Sequence, residues 1–228
     1  MTHPDQALWK QSWRANRIDF HLPHVHPLLA RYWPSLDLQP DDRVFVPLCG
    51  KSLDLMWLHG LGHDVTAVEL SPIAVQAFFS ESGQLARRNR HGAFTRWSQA
   101  RLAIYCGDFF RLKASDLLGV RAVYDRASLT ALPEDLRTRY VAHLAAILPA
   151  DSQVLLLTVE DLDEGESAAD ASGASAEIEA LYRPHFSITL LHAEAVQAVI
   201  EDGLEMEALC IHKAYALRLQ RNAARVDA

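Results

Sequence analysis

Cysteine is scarce in this sequence and forms no pattern: Cys49, Cys106 and Cys210 are widely spaced, odd in number and without a C-x-x-C pair. A disulfide framework and a zinc knuckle are both excluded as organising devices, and a reducing, cytoplasmic setting is expected. Long hydrophobic runs are missing as well. The first residues, MTHPDQALWKQSW, hold no apolar stretch of the kind that directs export, and the longest aliphatic run, residues 154 to 159, is far too short to span a bilayer. Neither export nor membrane insertion is expected. Positive charge is in deficit, with 22 Lys and Arg against 29 Asp and Glu and a formal net charge of −7. A nucleic-acid scaffold needs a concentrated basic surface to neutralise phosphates, so the expected partner is a small molecule.

The most telling shortage is of glycine within one turn. Residues 43 to 72 read RVFVPLCGKSLDLMWLHGLGHDVTAVELSP, a buried strand, a tight turn at Cys49-Gly50, a helix stopped by Gly60 and Gly62, and a second strand ending on Glu69. Two apolar strands joined by a crossover helix form a βαβ unit and favour a parallel sheet, because parallel neighbours cannot be joined by a hairpin. Gly50 then sets free backbone N–H groups at a helix N-terminus, and Glu69 offers a carboxylate to a vicinal diol such as a ribose. A dinucleotide turn carries G-x-G-x-x-G, but here one glycine stands in P-L-C-G-K-S. The G-K-S tail also lacks the phosphate-loop glycine five residues earlier, where Phe45 stands. One close-approach glycine plus an acid on the second strand suits a nucleoside without phosphates, of which S-adenosylmethionine is the commonest.

Around this unit the chain is that of one α/β domain, long enough for a full core. Residues 5 to 16 place Leu8, Trp9, Ser12 and Trp13 at three- and four-residue spacing, the stripe of an amphipathic helix, and packing on the domain accounts for Trp9. His21, His24 and His26 lie close together, but Pro23 and Pro27 bend the stretch and no cysteine or nearby acid completes a usual ligand set. Solvated or substrate-facing histidines are expected there, and no metal. A short helix is expected over residues 27 to 33, and a turn at 39 to 42. Ser71-Pro72 caps and starts a helix to about Ser82, with Ile73, Val75, Phe78 and Phe79 for its buried side. The basic run from Arg87 to His91, with Arg96 and Arg101, reads as a Gly-containing loop with a solvated face, open to steering an anionic substrate.

Two further strand ends carry candidate chemistry. Residues 101 to 110, RLAIYCGDFF, run into Asp108 and Phe109 at the carboxyl edge that lines the crevice in such sheets, although Asp108 reads equally as a helix or turn cap. The strand centred on residues 122 to 124 ends at Asp125-Arg126. Arg126 reads either as an ion pair with Asp125 or Glu69, or as a planar fork for a ligand carboxylate. A helix over 134 to 148 buries Leu136, Tyr140, Leu144 and Ile147, and residues 154 to 159 form a central strand covered on both sides. Residues 160 to 173 hold six acids and no base and read as a loop. Beyond it the pattern predicts a helix over 176 to 182, an extended stretch over 185 to 191, a helix over 194 to 201 ending near Gly203, and two closing antiparallel strands over 204 to 212 and 214 to 219.

In VPLCGKSLDLMWL with the following GH and VELS, in WKQSWRANRIDFHLP and in YDRASLTALP, the chain resembles the bacterial thiopurine S-methyltransferase family. The resemblance runs from about Trp9 to Pro149 and loosens from there to about Leu219. It implies a Rossmann-like, seven-stranded, mostly parallel sheet with helices on both faces and a C-terminal antiparallel hairpin, residues 1 to 35 forming a helical lid. The implied cofactor is S-adenosylmethionine, with S-adenosylhomocysteine as product, and the implied acceptor is a small-molecule thiol met by a monomer. Matched residue by residue, Trp13 contacts the methyl donor and Phe20 lines the acceptor site. Leu48 and Glu69 hold the donor, Asp108 and Phe109 flank its adenine, and Arg126 stands at its methionine end or near the acceptor. The family's G-P-P-F-type segment, which folds over the site, is absent from the acidic stretch. Rival readings are methylation of selenium or tellurium compounds in the same pocket, a non-catalytic adenosine sensor, and an NAD oxidoreductase, which the missing glycines disfavour.

Overall fold

A computed structural model describes residues 3–161, 173–198 and 208–220. The elements run α1 (Asp5–Arg14), α2 (Pro27–Tyr32), a 3-10 turn (Trp33–Leu36), β1 (Arg43–Val46), α3 (Asp54–Gly60), β2 (Asp64–Glu69), α4 (Pro72–Glu81), β3 (Arg87–His91) and β4 (Phe94–Gln99). They continue with β5 (Leu102–Cys106), two short 3-10 turns, β6 (Val120–Arg126), α5 (Glu134–Ile147), β7 (Gln153–Asp161), α6 (Ala176–Tyr182), β8 (Phe186–Ala198) and β9 (Ala208–Leu219). All strands join one nine-stranded sheet in the order β3-β4-β5-β2-β1-β6-β7-β9-β8.

The middle of the sheet is the parallel set β5, β2, β1, β6 and β7. Successive residues of a strand face opposite sides, and β1 shows why the set is apolar throughout. Phe45 packs toward α5 with Val123 and Tyr140, whereas Val44 and Val46 pack toward α3 and α4 with Leu55 and Val75. Burying each such side chain stabilises the fold by about 1.5 to 3 kcal/mol, so strands covered on both faces read as unbroken hydrophobic runs. From β1 the chain passes to β2, goes out to the β3–β4 edge and back in to β5, then crosses to place β6 on the other side of β1. The order therefore reverses between β1 and β6, and a crevice opens at the carboxyl ends there.

Several expectations need correcting. The basic stretch is no loop but the β3–β4 hairpin, with Arg88 stacked 3.6 Å from the Trp97 ring centroid. All five residues of β3 are exposed because this strand lies at the sheet's edge, and so no inside-outside alternation marks it. The sheet accordingly has nine strands where seven were expected. Glu194 to Ala198 continue β8 as strand, not helix; Gly203 and residues 199–207 lie outside the described set. The closing hairpin pairs β8 with β9, and β9 is one continuous strand through Lys213, not two. Lys213 falls between the two expected strands, yet it is buried against Glu160 of β7 at 3.1 Å, which lets the strand pass through it. Ile73 is exposed; the buried side of α4 is Ala74, Val75, Phe78 and Phe79.

Candidate active site

Outside the carboxyl ends of β1 and β6 lies a cavity of about 260 Å³. It is bordered by Trp13, Phe20, Leu48, Glu69, Asp108, Phe109 and Arg126, so every site candidate read from the sequence meets at one place. Most of the lining is apolar with a few convergent polar groups, the usual make-up of a small-molecule site.

The turn after β1 is held by β2. Cys49 N–H donates to the Val68 carbonyl at 3.0 Å, and Gly50 N–H donates to Glu69 Oε2 at 2.9 Å. The other oxygen of Glu69 accepts from Ser71 N–H at 2.6 Å, at the point where Ser71 also caps α4. The Gly50 N–H, expected to be free for a ligand, is thus taken. Burial pushes the Glu69 carboxyl pKa up, while the Ser71 and Gly50 amides act against that shift. Gly50 has φ +55°, and a Cβ there would stand 3.3 Å from the Trp13 ring, so this lone glycine makes room for the indole as well as for the turn. Leu48 (φ +44°) and Ala127 (φ +61°) occupy the same left-handed region without being glycine, one on each side of the crevice. Such conformations cost of the order of 1 to 2 kcal/mol and concentrate where geometry is imposed by function.

At the end of β5, Asp108 caps the following 3-10 turn, accepting from Phe110 N–H at 3.0 Å, and still borders the cavity. Phe109 is buried against Tyr140, centroids 4.8 Å apart. Gly107 is a close-approach glycine that sequence reading passed over: a Cβ there would lie 2.6 Å from the Phe94 ring. Across the crevice, Arg126 pairs with neither expected acid. Its Nη1 donates to the Phe20 carbonyl at 3.1 Å, while Asp125, on the opposite face of β6, accepts from Tyr140 OH at 2.7 Å.

Helix α1 covers the crevice. Trp13 is buried, and Phe20 sits edge-on to both Trp13 and Trp9, at 5.7 and 5.5 Å. Trp9 Nε1 donates to the Ala131 carbonyl at 2.8 Å and the ring borders the cavity, a role beyond simple helix packing. Among the described residues no cluster of three or more His, Cys, Asp or Glu could hold a metal. Instead His26 caps α2, its Nδ1 accepting from Leu28 N–H at 3.2 Å, and burial with Arg126 nearby pulls its pKa down to about 4. His21 borders the cavity, its pKa lowered by burial and then by Lys51. Asp54 and Tyr124 also border it and were missed. The signal for Asp54 was present: a lone acid between Leu53 and Leu55 in an otherwise apolar helix start.

The donor set fits S-adenosylmethionine: aromatic faces for a cationic sulfur and acids on two neighbouring strand ends for ribose hydroxyls and an exocyclic amine, with a guanidinium beside them for an anionic group of the donor or the acceptor. Arg126 has no carboxylate partner among the described residues. The family model described as thiopurine S-methyltransferase matches residues 4–218. The chain belongs to the thiopurine S-methyltransferase family. It is 49% identical over 196 residues to the thiopurine S-methyltransferase of Stutzerimonas stutzeri A1501, covering 86% of this chain and 83% of that one. The Pseudomonas fluorescens SBW25 relative of the same name is 43% identical over 205 residues, 88% of this chain and 94% of its own. In fold it is similar to a S-adenosylmethionine-dependent methyltransferase of Anabaena variabilis, with TM-score 0.63, 13% identity and 96% of each chain covered. It is also similar to the 1,6-didemethyltoxoflavin-N1-methyltransferase of Burkholderia thailandensis, solved with S-adenosylhomocysteine, with TM-score 0.61, 16% identity and coverage of 97% and 92%. Membership makes this family member a methyltransferase with S-adenosylmethionine as its methyl donor. Among the described residues no helix is long and apolar enough to cross a membrane.

Proposed function

We propose that this chain transfers the methyl group of S-adenosylmethionine to the sulfur of aromatic and heterocyclic thiols such as thiopurines. The observation that carries this reading is the meeting of Trp9, Trp13 and Phe20 with Arg126 at the β1/β6 crevice, an aromatic slot beside a guanidinium that has no carboxylate partner among the described residues. When bound, the donor supplies a methyl group on a cationic sulfur; the acceptor enters as its thiolate, its proton already given to water, and as the new sulfur–carbon bond forms in line the donor's S–CH3 bond breaks, so that both charges disappear. Glu69 receives the ribose hydroxyls with the lone pairs that Gly50 and Ser71 leave free. Asp108 and Phe109 flank the adenine, Leu48 supports the donor from the first turn, and Trp13 faces the sulfonium. Arg126 grips an anionic group at the methionine end or on the acceptor, and Phe20 stacks on the acceptor ring.

Positioning and exclusion of water supply the rate. Side-chain nucleophiles play no part. Burial and the neighbouring Glu69 push the Cys49 thiol well up and the Cys106 thiol up to about 11, so both stay protonated. The protein works as a cytoplasmic monomer of one domain, meeting neither nucleic acid nor membrane; of the lid expected over residues 1 to 35, α1 and the segment to Phe20 serve as cover, whereas Leu29 and Trp33 behind them are buried in the core with Val44 and Leu55. Three free thiols suit a reducing compartment, and arginines on the exposed edge strand β3 discourage pairing between copies. Calorimetry with S-adenosylhomocysteine and NAD, followed by mass detection of the methyl thioether from a thiopurine and from thiophenol, tests the reading. Binding of the first ligand alone, with a thioether product, is expected; preference for NAD, or binding without turnover of any thiol, even where a selenol or tellurol is methylated, overturns it.

A further inference from the structure

Asp54 stands at the start of α3 with 1% of its surface exposed. A buried carboxylate persists only where hydrogen bonds offset its lost hydration. Both oxygens are used, on two separate elements. Oδ1 accepts from the His26 backbone N–H at 2.8 Å, and Oδ2 accepts from Tyr124 OH at 2.8 Å. Tyr124 lies two residues before Arg126 on β6, on the same face of the strand. Arg126 in turn donates to the Phe20 carbonyl, and residues 20 to 26 lead back to His26. A closed loop results, made of three hydrogen bonds and two stretches of chain: Asp54 to Tyr124, along β6 to Arg126, to the Phe20 carbonyl, and through residues 20 to 26 back to Asp54. Asp54, Tyr124, Arg126 and Phe20 all border the cavity.

We infer that Asp54 is the positioning residue of the acceptor end. Its single carboxylate fixes the segment carrying Phe20 relative to the strand carrying Arg126. This rests on the proposed function, taken with Arg126 on the acceptor and not on the methionine carboxylate of the donor. A carboxylate is suited to the task because it can accept from a backbone amide and a phenol at once, whereas an amide side chain offers one oxygen. The donor end is built separately: Glu69 binds Gly50 and Ser71, Asp108 binds Phe110, and neither shares a hydrogen bond with Asp54. Disturbing Asp54 therefore separates acceptor recognition from donor affinity.

The test compares Tyr124→Phe, Asp54→Asn and Asp54→Ala by thermal unfolding, by S-adenosylhomocysteine affinity, and by thiophenol KM and kcat. Tyr124→Phe retains the ring's packing and serves as the variant that stays folded. Loss of a hydrogen bond to a charged group predicts a rise of about tenfold in thiophenol KM for Tyr124→Phe. Asp54→Ala should exceed that rise and Asp54→Asn should fall between wild type and Asp54→Ala, with donor affinity held within about twofold in all three. Thiophenol KM unchanged in Tyr124→Phe, or donor affinity falling in step with kcat/KM, overturns the role of Asp54 while leaving the proposed function standing. Wild-type chain that fails to bind S-adenosylhomocysteine or to methylate thiophenol overturns the reading beneath it.

Discussion

The two halves of the cavity are held together over different distances along the chain. In the donor half Glu69 reaches back 19 residues to Gly50 and forward two to Ser71, and Asp108 reaches two residues to Phe110. In the acceptor half Arg126 meets Phe20 across 106 residues, Trp9 meets Ala131 across 122, and Tyr124 meets Asp54 across 70. Apart from Trp13 on α1, the donor half is a property of adjacent strand ends, set once β1, β2 and β5 have paired. The acceptor half exists only after α1 and the segment behind it have docked. Local units of this kind are expected to retain structure under conditions that release docked segments, so the halves should separate under mutation.

The largest separation is expected at Glu69. Glu69→Ala removes a charged acceptor from two backbone N–H groups and from the donor, and should weaken S-adenosylhomocysteine binding by about 1.5 to 3 kcal/mol in calorimetry. Retained affinity would rule out the ribose role. Phe20→Ala acts on the other half: it removes the edge-on contacts to Trp9 and Trp13, each worth about 0.5 to 1.5 kcal/mol beyond burial. Steady-state kinetics should show thiol KM rising more than donor affinity falls, and the opposite pattern would move Phe20 to the donor side.

A pH dependence sharpens the contrast, because His26 anchors the acceptor half alone. Its folded pKa of about 4 lies below the ordinary 6.5, through burial first and then Arg126, with Asp54, His212 and His24 also facing it. Between these values the unfolded chain takes up a proton that the folded chain refuses. This contribution to stability is therefore complete above the ordinary value and is lost as pH falls toward the folded one. His26→Asn keeps a capping side chain and the amide to Asp54 but has nothing to protonate. Its urea midpoint should fall less than wild type between pH 7 and 4.5; equal falls would assign the loss to other groups. The smallest effect is expected at Ala127→Gly, where relief of the left-handed backbone, offset by glycine's greater unfolded freedom, should change stability by about 0.5 to 1 kcal/mol in the stabilising direction. A lower unfolding temperature would show that the Ala127 methyl makes contacts worth more than the strain.

What is legible in the sequence follows the same division. The β1–turn–α3–β2 unit, the α4 cap at Ser71, and the strand ends at Asp108 and Arg126 were legible because apolar runs and turn residues lie next to what they organise. The β3–β4 hairpin was not, because an edge strand exposed on both faces carries no alternation, and Arg88 is stabilised by Trp97, a residue on its partner strand. Lys213 was taken for a break between strands because its partner, Glu160, is 53 residues away in the chain yet adjacent across the sheet. Asp54 went unremarked, since an acid in an apolar helix start gives no hint of which two donors it serves.

By itself, then, the sequence determined a parallel α/β core, a turn with room for one glycine's worth of close approach, and the acids and aromatic groups of a nucleoside site, since each depends on short-range geometry and burial. Tertiary structure alone decided that Gly50 yields to Trp13 and is tied to Glu69, that Arg126 turns to the Phe20 carbonyl and not to a neighbouring acid, and that Asp54 joins two distant segments. Those outcomes depend on which buried polar groups come within hydrogen-bond reach when remote stretches pack, and separation along the chain says nothing about that distance.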